Sequence, residues 1–178
     1  MPRYCAFFAS MNVGGNRLAM ADLRHVLERE ELEDVETVVA SGNVLFSFDD
    51  RPTEGLSEML AYIVKDRFGF DTFAAVRSID EVRAAIEGNP FSADGQDNLV
   101  HTLFASGPVS PANVERVIAD YTGRGAERIA AGERSLHVDY VSGVGGSRLT
   151  GPFIERRLGC SVTGRNMQSL KRILDKMA

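Results

Sequence analysis

The chain has 178 residues, 44% hydrophobic and 25% charged, the balance of an ordinary soluble globular protein. That length supports one large domain or two small ones with a core needing no disulfide or metal, and no apolar run approaches the roughly 20 residues of a membrane helix. The net charge of −5 is uneven: segment 148–178 carries seven Lys or Arg against Glu155 and Asp175, which leaves −10 on the remainder.

The elements follow in chain order. "RYCAFFAS" (3–10) reads as a buried first strand, and the apolar start is too short for a signal peptide, so a cytoplasmic protein is expected. After a Gly pair, "MADLRHVLERE" sets Met20, Leu23, Val26 and Leu27 on one helical face. Two short strands are predicted over 36–39 and 44–48, joined through Ser41, Gly42 and Asn43. The next helix starts at Thr53, read as its cap. It carries Leu56, Met59, Leu60, Ile63 and Val64 as a stripe and stops at Gly69. A strand over 71–77 leads into a helix opened by a Ser78–Glu81 capping box and closed by Gly88 and Pro90.

The order then repeats. A strand covers 98–106, and a helix is capped by Ser110 with Pro111 in its first turn. "ERIAA" and "RSLHVDYV" are strands joined across Gly132 and Glu133. A helix is opened by Pro152 and closed by Gly159, "CSVT" is a short strand, and a last helix has Asn166 as cap and Met167, Leu170, Ile173, Leu174 and Met177 on its apolar face. "DRFGFDTFAAVRS" and "RRLGCSVTGRN" echo each other as helix end, Gly, strand, Arg and cap. The fold expected is α+β: two ferredoxin-like βαββαβ repeats, each followed by an extra helix, over 1–90 and 91–178. The polar segment 89–98 reads as the linker.

Chemistry is sparse. Cys5 and Cys160 stand in apolar stretches without a C-x-x-C pair, and the three histidines are scattered, so neither a metal site nor a cofactor is expected. "VGGNRL" (13–18) and "VGGSRL" (144–149) both run from a strand through Gly-Gly and Arg to a helix. Exposed backbone N–H groups, a helix N-terminus and a guanidinium can hold an anion. The candidate residues are Asn12, Gly14, Gly15, Asn16 and Arg17 in the first copy, Gly145, Gly146, Ser147 and Arg148 in the second, and Arg165 before the last helix. The competing account is turn chemistry, with glycine supplying positive φ. The two copies occupy different steps of the repeats, so duplication alone does not relate them. His137 and Asp139 share a strand face and are the general-base pair the sequence offers.

Taken together, "MNVGGN", "VASGNVLF", "RFGF" with "VRS", "NPF", "SRLTG", "RRLG" and "TGRN" resemble the bacterial family catalogued as domain of unknown function 1697, from Tyr4 to the C-terminus. The resemblance implies a two-part α+β fold with ferredoxin-like repeats and no particular activity. The family's usual Arg-Gly-Ile-Asn is here Ala9, Ser10, Met11 and Asn12, and its Arg-Asn-Trp-Asn-Thr is Arg165, Asn166, Met167, Gln168 and Ser169. Met for Trp keeps apolar volume and loses an indole donor.

The reading favoured by these features is a cytoplasmic binding module for a small anionic ligand or nucleic acid. It would use the Gly-rich turns and the basic C-terminal segment. The alternatives are an enzyme acting on a phosphorylated or carboxylated small molecule, and a protein-interaction module, with a homodimer among its partners and no membrane.

Overall fold

The computed structural model describes residues 1–9, 18–39 and 42–178. Two compact units divide the chain, one of Met1–Val82 with Arg172–Ala178 and one of Arg83–Lys171. Segment 89–98, expected as a linker, is tied within the second unit. There Asp94 pairs with Arg128, whose guanidinium lies 4.8 Å over the Phe91 ring, and Asp97 pairs with Lys171 at 2.9 Å.

In the first unit the order is β1 (Arg3–Phe8), α1 (Met20–Arg29), β2 (Glu33–Thr37), β3 (Asn43–Ser47), α2 (Thr53–Phe68) and β4 (Ala74–Ser78), with α3 (Ile79–Glu87) following. The second runs β5 (Val100–Ala105), α4 (Pro111–Tyr121), β6 (Arg128–Gly132), β7 (Ser135–Asp139), α5 (Gly151–Leu158) and β8 (Val162–Asn166), then α6 (Met167–Met177). The sheets have the orders β2-β3-β1-β4 and β6-β7-β5-β8, antiparallel at every neighbouring pair. The protein is therefore a mixed α+β chain of two similar units.

Helix faces follow the apolar spacing. Leu23 and Leu27 of α1, and Leu56, Leu60, Ile63 and Val64 of α2, are buried in the first core with Ala6, Phe8, Val44, Phe46 and Val76 from the sheet. In the second unit Val114 and Val117 of α4, Ile154 and Leu158 of α5, and Leu103, Leu136 and Val138 of the sheet do the same. The repeated helix-Gly-strand echo has a shared mechanism. Gly69 and Gly159 both take the left-handed conformation (φ +80° and +78°), and their N–H groups bond the carbonyls of Lys65 and Glu155.

Three caps form as expected: Ser78 and Glu81 exchange reciprocal bonds at 3.0 and 3.1 Å, Ser110 accepts from the Asn113 N–H at 3.1 Å, and Asn166 accepts from the Ser169 N–H. Three expectations are corrected. Thr53 is the first helical residue and makes no cap bond; Pro52 takes the cap position, and the Thr53 hydroxyl lies near Glu54 and Glu81 instead. The strand placed over 36–39 starts at Glu33, because Asp34 at φ +48° makes a bulge that turns Val35 into the core. Its partner starts one residue early, at Asn43, whose side chain bonds the Val39 carbonyl.

Candidate functional site

The first Gly-Gly turn, with Asn12, Gly14, Gly15, Asn16 and Arg17, lies outside the described residues. The second can be built from its neighbours. β7 ends at Asp139, and Val141 is forced to φ +57°, with its N–H held by an Asp139 carboxylate oxygen at 2.9 Å. Gly143 supplies φ +107°. Gly145 and Gly146 are different: neither has positive φ, and a Cβ added to either would meet open space. The turn account covers Gly143 and leaves those two glycines unexplained. Ser147 accepts from the Leu149 N–H and donates to Glu127 at 2.9 Å, while Arg148 is exposed. Thr150 then caps α5 by accepting from the Phe153 N–H at 3.3 Å.

Contacts run inward from this turn. The Glu127 carboxylate takes the Tyr121 hydroxyl as well as that of Ser147. The Tyr121 ring meets the Phe153 ring edge-on at 5.7 Å. Two guanidiniums lie by Phe153, Arg157 at 3.6 Å and Arg124 at 5.3 Å from its centroid. Arg157 is fixed by Asp120 at 2.8 Å and by the Phe153 carbonyl at 3.0 Å. The sequence reading missed Phe153, Arg124, Tyr121 and Glu127, because their meeting depends on how α4 packs against α5.

Arg165 is not brought to this cluster by any described contact; it donates to the Thr163 hydroxyl at 2.8 Å and the Gly164 carbonyl. The general-base expectation is corrected. His137 and Asp139 are both buried, and each is committed elsewhere. His137 shares a 2.9 Å hydrogen bond with Thr102, and burial pulls its pKa down to about 4, so it is neutral. Asp139 receives Arg128 at 2.6 Å. Cys160, half-buried, has its thiol pushed up by burial, which makes it a poor nucleophile.

A cleft of about 440 Å³ lies within the first unit, where the starts of β1, α2 and α3 meet. Asp50, Glu54, Asp80 and Glu81 line it with Arg3 and Arg51. Among the described residues no group of three His, Cys, Asp or Glu is placed to hold a metal, and no helix is long and apolar enough to cross a membrane.

With this geometry in view, one comparison decides the family: residues 1–137 match the family described as protein of unknown function DUF1697. The chain belongs to DUF1697. This DUF1697 chain is also similar in structure to the conserved bacterial protein SP0830 from Streptococcus pneumoniae, at 25% identity and TM-score 0.71, covering 99% of each chain. No curated protein is detectably similar in sequence.

Proposed function

We propose that this chain is a cytoplasmic binding module that holds a phosphate- or carboxylate-bearing ligand at the 143–148 turn of its second unit, and that each unit is a ferredoxin-like repeat. One observation carries the binding reading. Gly145 and Gly146 are required neither by backbone conformation nor by packing, and they stand beside the exposed Arg148. Bare backbone next to a guanidinium suits an anion approaching from solvent. The acid at the turn, Glu127, is already bonded by the hydroxyls of Tyr121 and Ser147. The burial of His137 and Asp139 favours binding over catalysis.

The element order, the strand orders and the paired glycine caps support the repeat reading. Two free cysteines suit a reducing compartment. The test is thermal: millimolar pyrophosphate or citrate raises the melting temperature by a few degrees, and Arg148→Ala abolishes the shift. Equal melting with and without every anion tried would overturn the reading.

A further inference from the structure

We propose that the second unit also binds a nucleotide, apart from the 143–148 turn, with its base stacked on the Arg157–Phe153 pair and its phosphate held by Arg124. A bare anion needs only charge, which lysines supply equally well. Here the cations are guanidiniums laid against an aromatic ring, 3.6 and 5.3 Å from its centroid. Such planes offer stacking surfaces as well as donors.

The plane is pre-set. Asp120 and the Phe153 carbonyl fix Arg157, whose side chain is 19% exposed, and the half-buried Phe153 is braced by the edge of Tyr121. Arg124 is exposed and is aimed by the turn that ends α4, where Gly123 takes φ +86° and the Arg124 N–H bonds the Tyr121 carbonyl at 3.0 Å. Arg116, exposed one helical turn before Asp120, adds charge on the same side of α4.

The scale of the ligand follows from charge. The second unit holds ten Lys or Arg against nine Asp or Glu, a net of +1, and the first unit holds ten against sixteen, a net of −6. A long polyanion would be repelled by that balance, whereas one nucleotide needs only the local patch.

The experiment is calorimetric titration of the full chain with adenosine monophosphate, ribose 5-phosphate and adenosine. Stacking a base on such a platform is worth roughly 5- to 150-fold in affinity, so the nucleotide is expected to bind at least about fivefold tighter than the sugar phosphate. Phe153→Leu should erode that ratio, whereas the charge-preserving Arg124→Lys should weaken nucleotide and sugar phosphate alike and narrow the gap between adenosine monophosphate and adenosine. Equal binding of nucleotide and sugar phosphate overturns the nucleotide assignment and leaves the anion reading standing. Adenosine binding as tightly as its monophosphate overturns the role of Arg124 as phosphate ligand. Failure of all phosphate compounds removes both readings together. A short single-stranded oligoadenylate tests the charge argument: binding no tighter than the monophosphate is expected, and tighter binding would overturn the assignment to a single nucleotide.

Discussion

His137 is held neutral by burial in the middle of the second sheet, and that choice couples folding to pH. Its folded pKa of about 4 lies below the 6.5 of a free imidazole. The unfolded chain therefore binds the proton first. The contribution is fully present above pH 6.5 and is lost as pH falls toward 4, roughly 3 kcal/mol across that window. Urea midpoints at neutral pH and near pH 4.5 should differ more in the natural chain than in His137→Gln; equal differences would mean that the imidazole titrates normally. His101, also lowered by burial, stays in both chains and cancels. Beside this ring, Gly132 has no room for a side chain, since a Cβ would meet His137 Nε2 at 2.7 Å. Gly132→Ala should therefore destabilise by about 1–3 kcal/mol. Gly145→Ala and Gly146→Ala, which meet open space, should leave stability unchanged or raise it by up to about 1 kcal/mol in chemical denaturation. If the turn is a binding surface, bulkier Gly145→Val and Gly146→Val weaken the anion-induced rise in melting temperature. Glycines of these two kinds look alike in a sequence, because φ and neighbouring atoms are properties of the folded chain. That is why the 143–148 turn could be singled out from its letters while the reason for its glycines could not. Phe153 and Arg157 stand at i and i+4 on one helix, a spacing that makes them neighbours, but Arg124 joins them only when α4 packs against α5, and that was not legible.

Elements form where local chemistry and core packing agree, and the caps show how much of that agreement is local. Thr150 satisfies one of the orphan donors at the start of α5, and Pro152 fits the first turn. Thr150→Ala should cost about 1 kcal/mol, read as a fall in melting temperature of roughly 2–4 °C. Because α5 supplies Phe153 and Arg157, the same change should loosen the stack beside it, seen as faster hydrogen exchange of the amides in its first turns. An unchanged exchange rate would mean that tertiary packing alone holds the helix. The helices α1, α2 and α6 were legible from their apolar stripes, as were the Ser78, Ser110 and Asn166 caps, since each signal sits within a few residues. β2 was displaced because its one buried residue, Val35, is flanked by acids that mimic a polar loop. Only pairing with β3 and the bulge at Asp34 make it a strand. Thr53 failed as a cap for a related reason: Pro52 already has the extended φ and ψ of the cap position, which shifts Thr53 into the helix.

At the scale of the whole molecule, the last helix shows that sequence order and compact unit are not the same thing. Residues Arg172–Ala178 belong with the first unit, although they end the second repeat of elements. They carry Ile173, fully buried, and Met177, 5% exposed. Losing a buried Ile or Met side chain costs about 2–5 kcal/mol. Two together approach the roughly 5–15 kcal/mol that hold a typical domain folded. A chain cut after Lys171 should therefore weaken its first unit more than its second, despite being cut at the end of the second. Hydrogen exchange read peptide by peptide tests this: protection should fall across β1, β3 and β4 while β5 and β7 lose less. Ile173→Ala in the full chain should give the same pattern with a smaller amplitude, which separates loss of packing from loss of the helix end. If instead the second sheet lost protection first, the tail would belong with the repeat that precedes it, and the boundary near residue 90 suggested by the sequence would describe the molecule better.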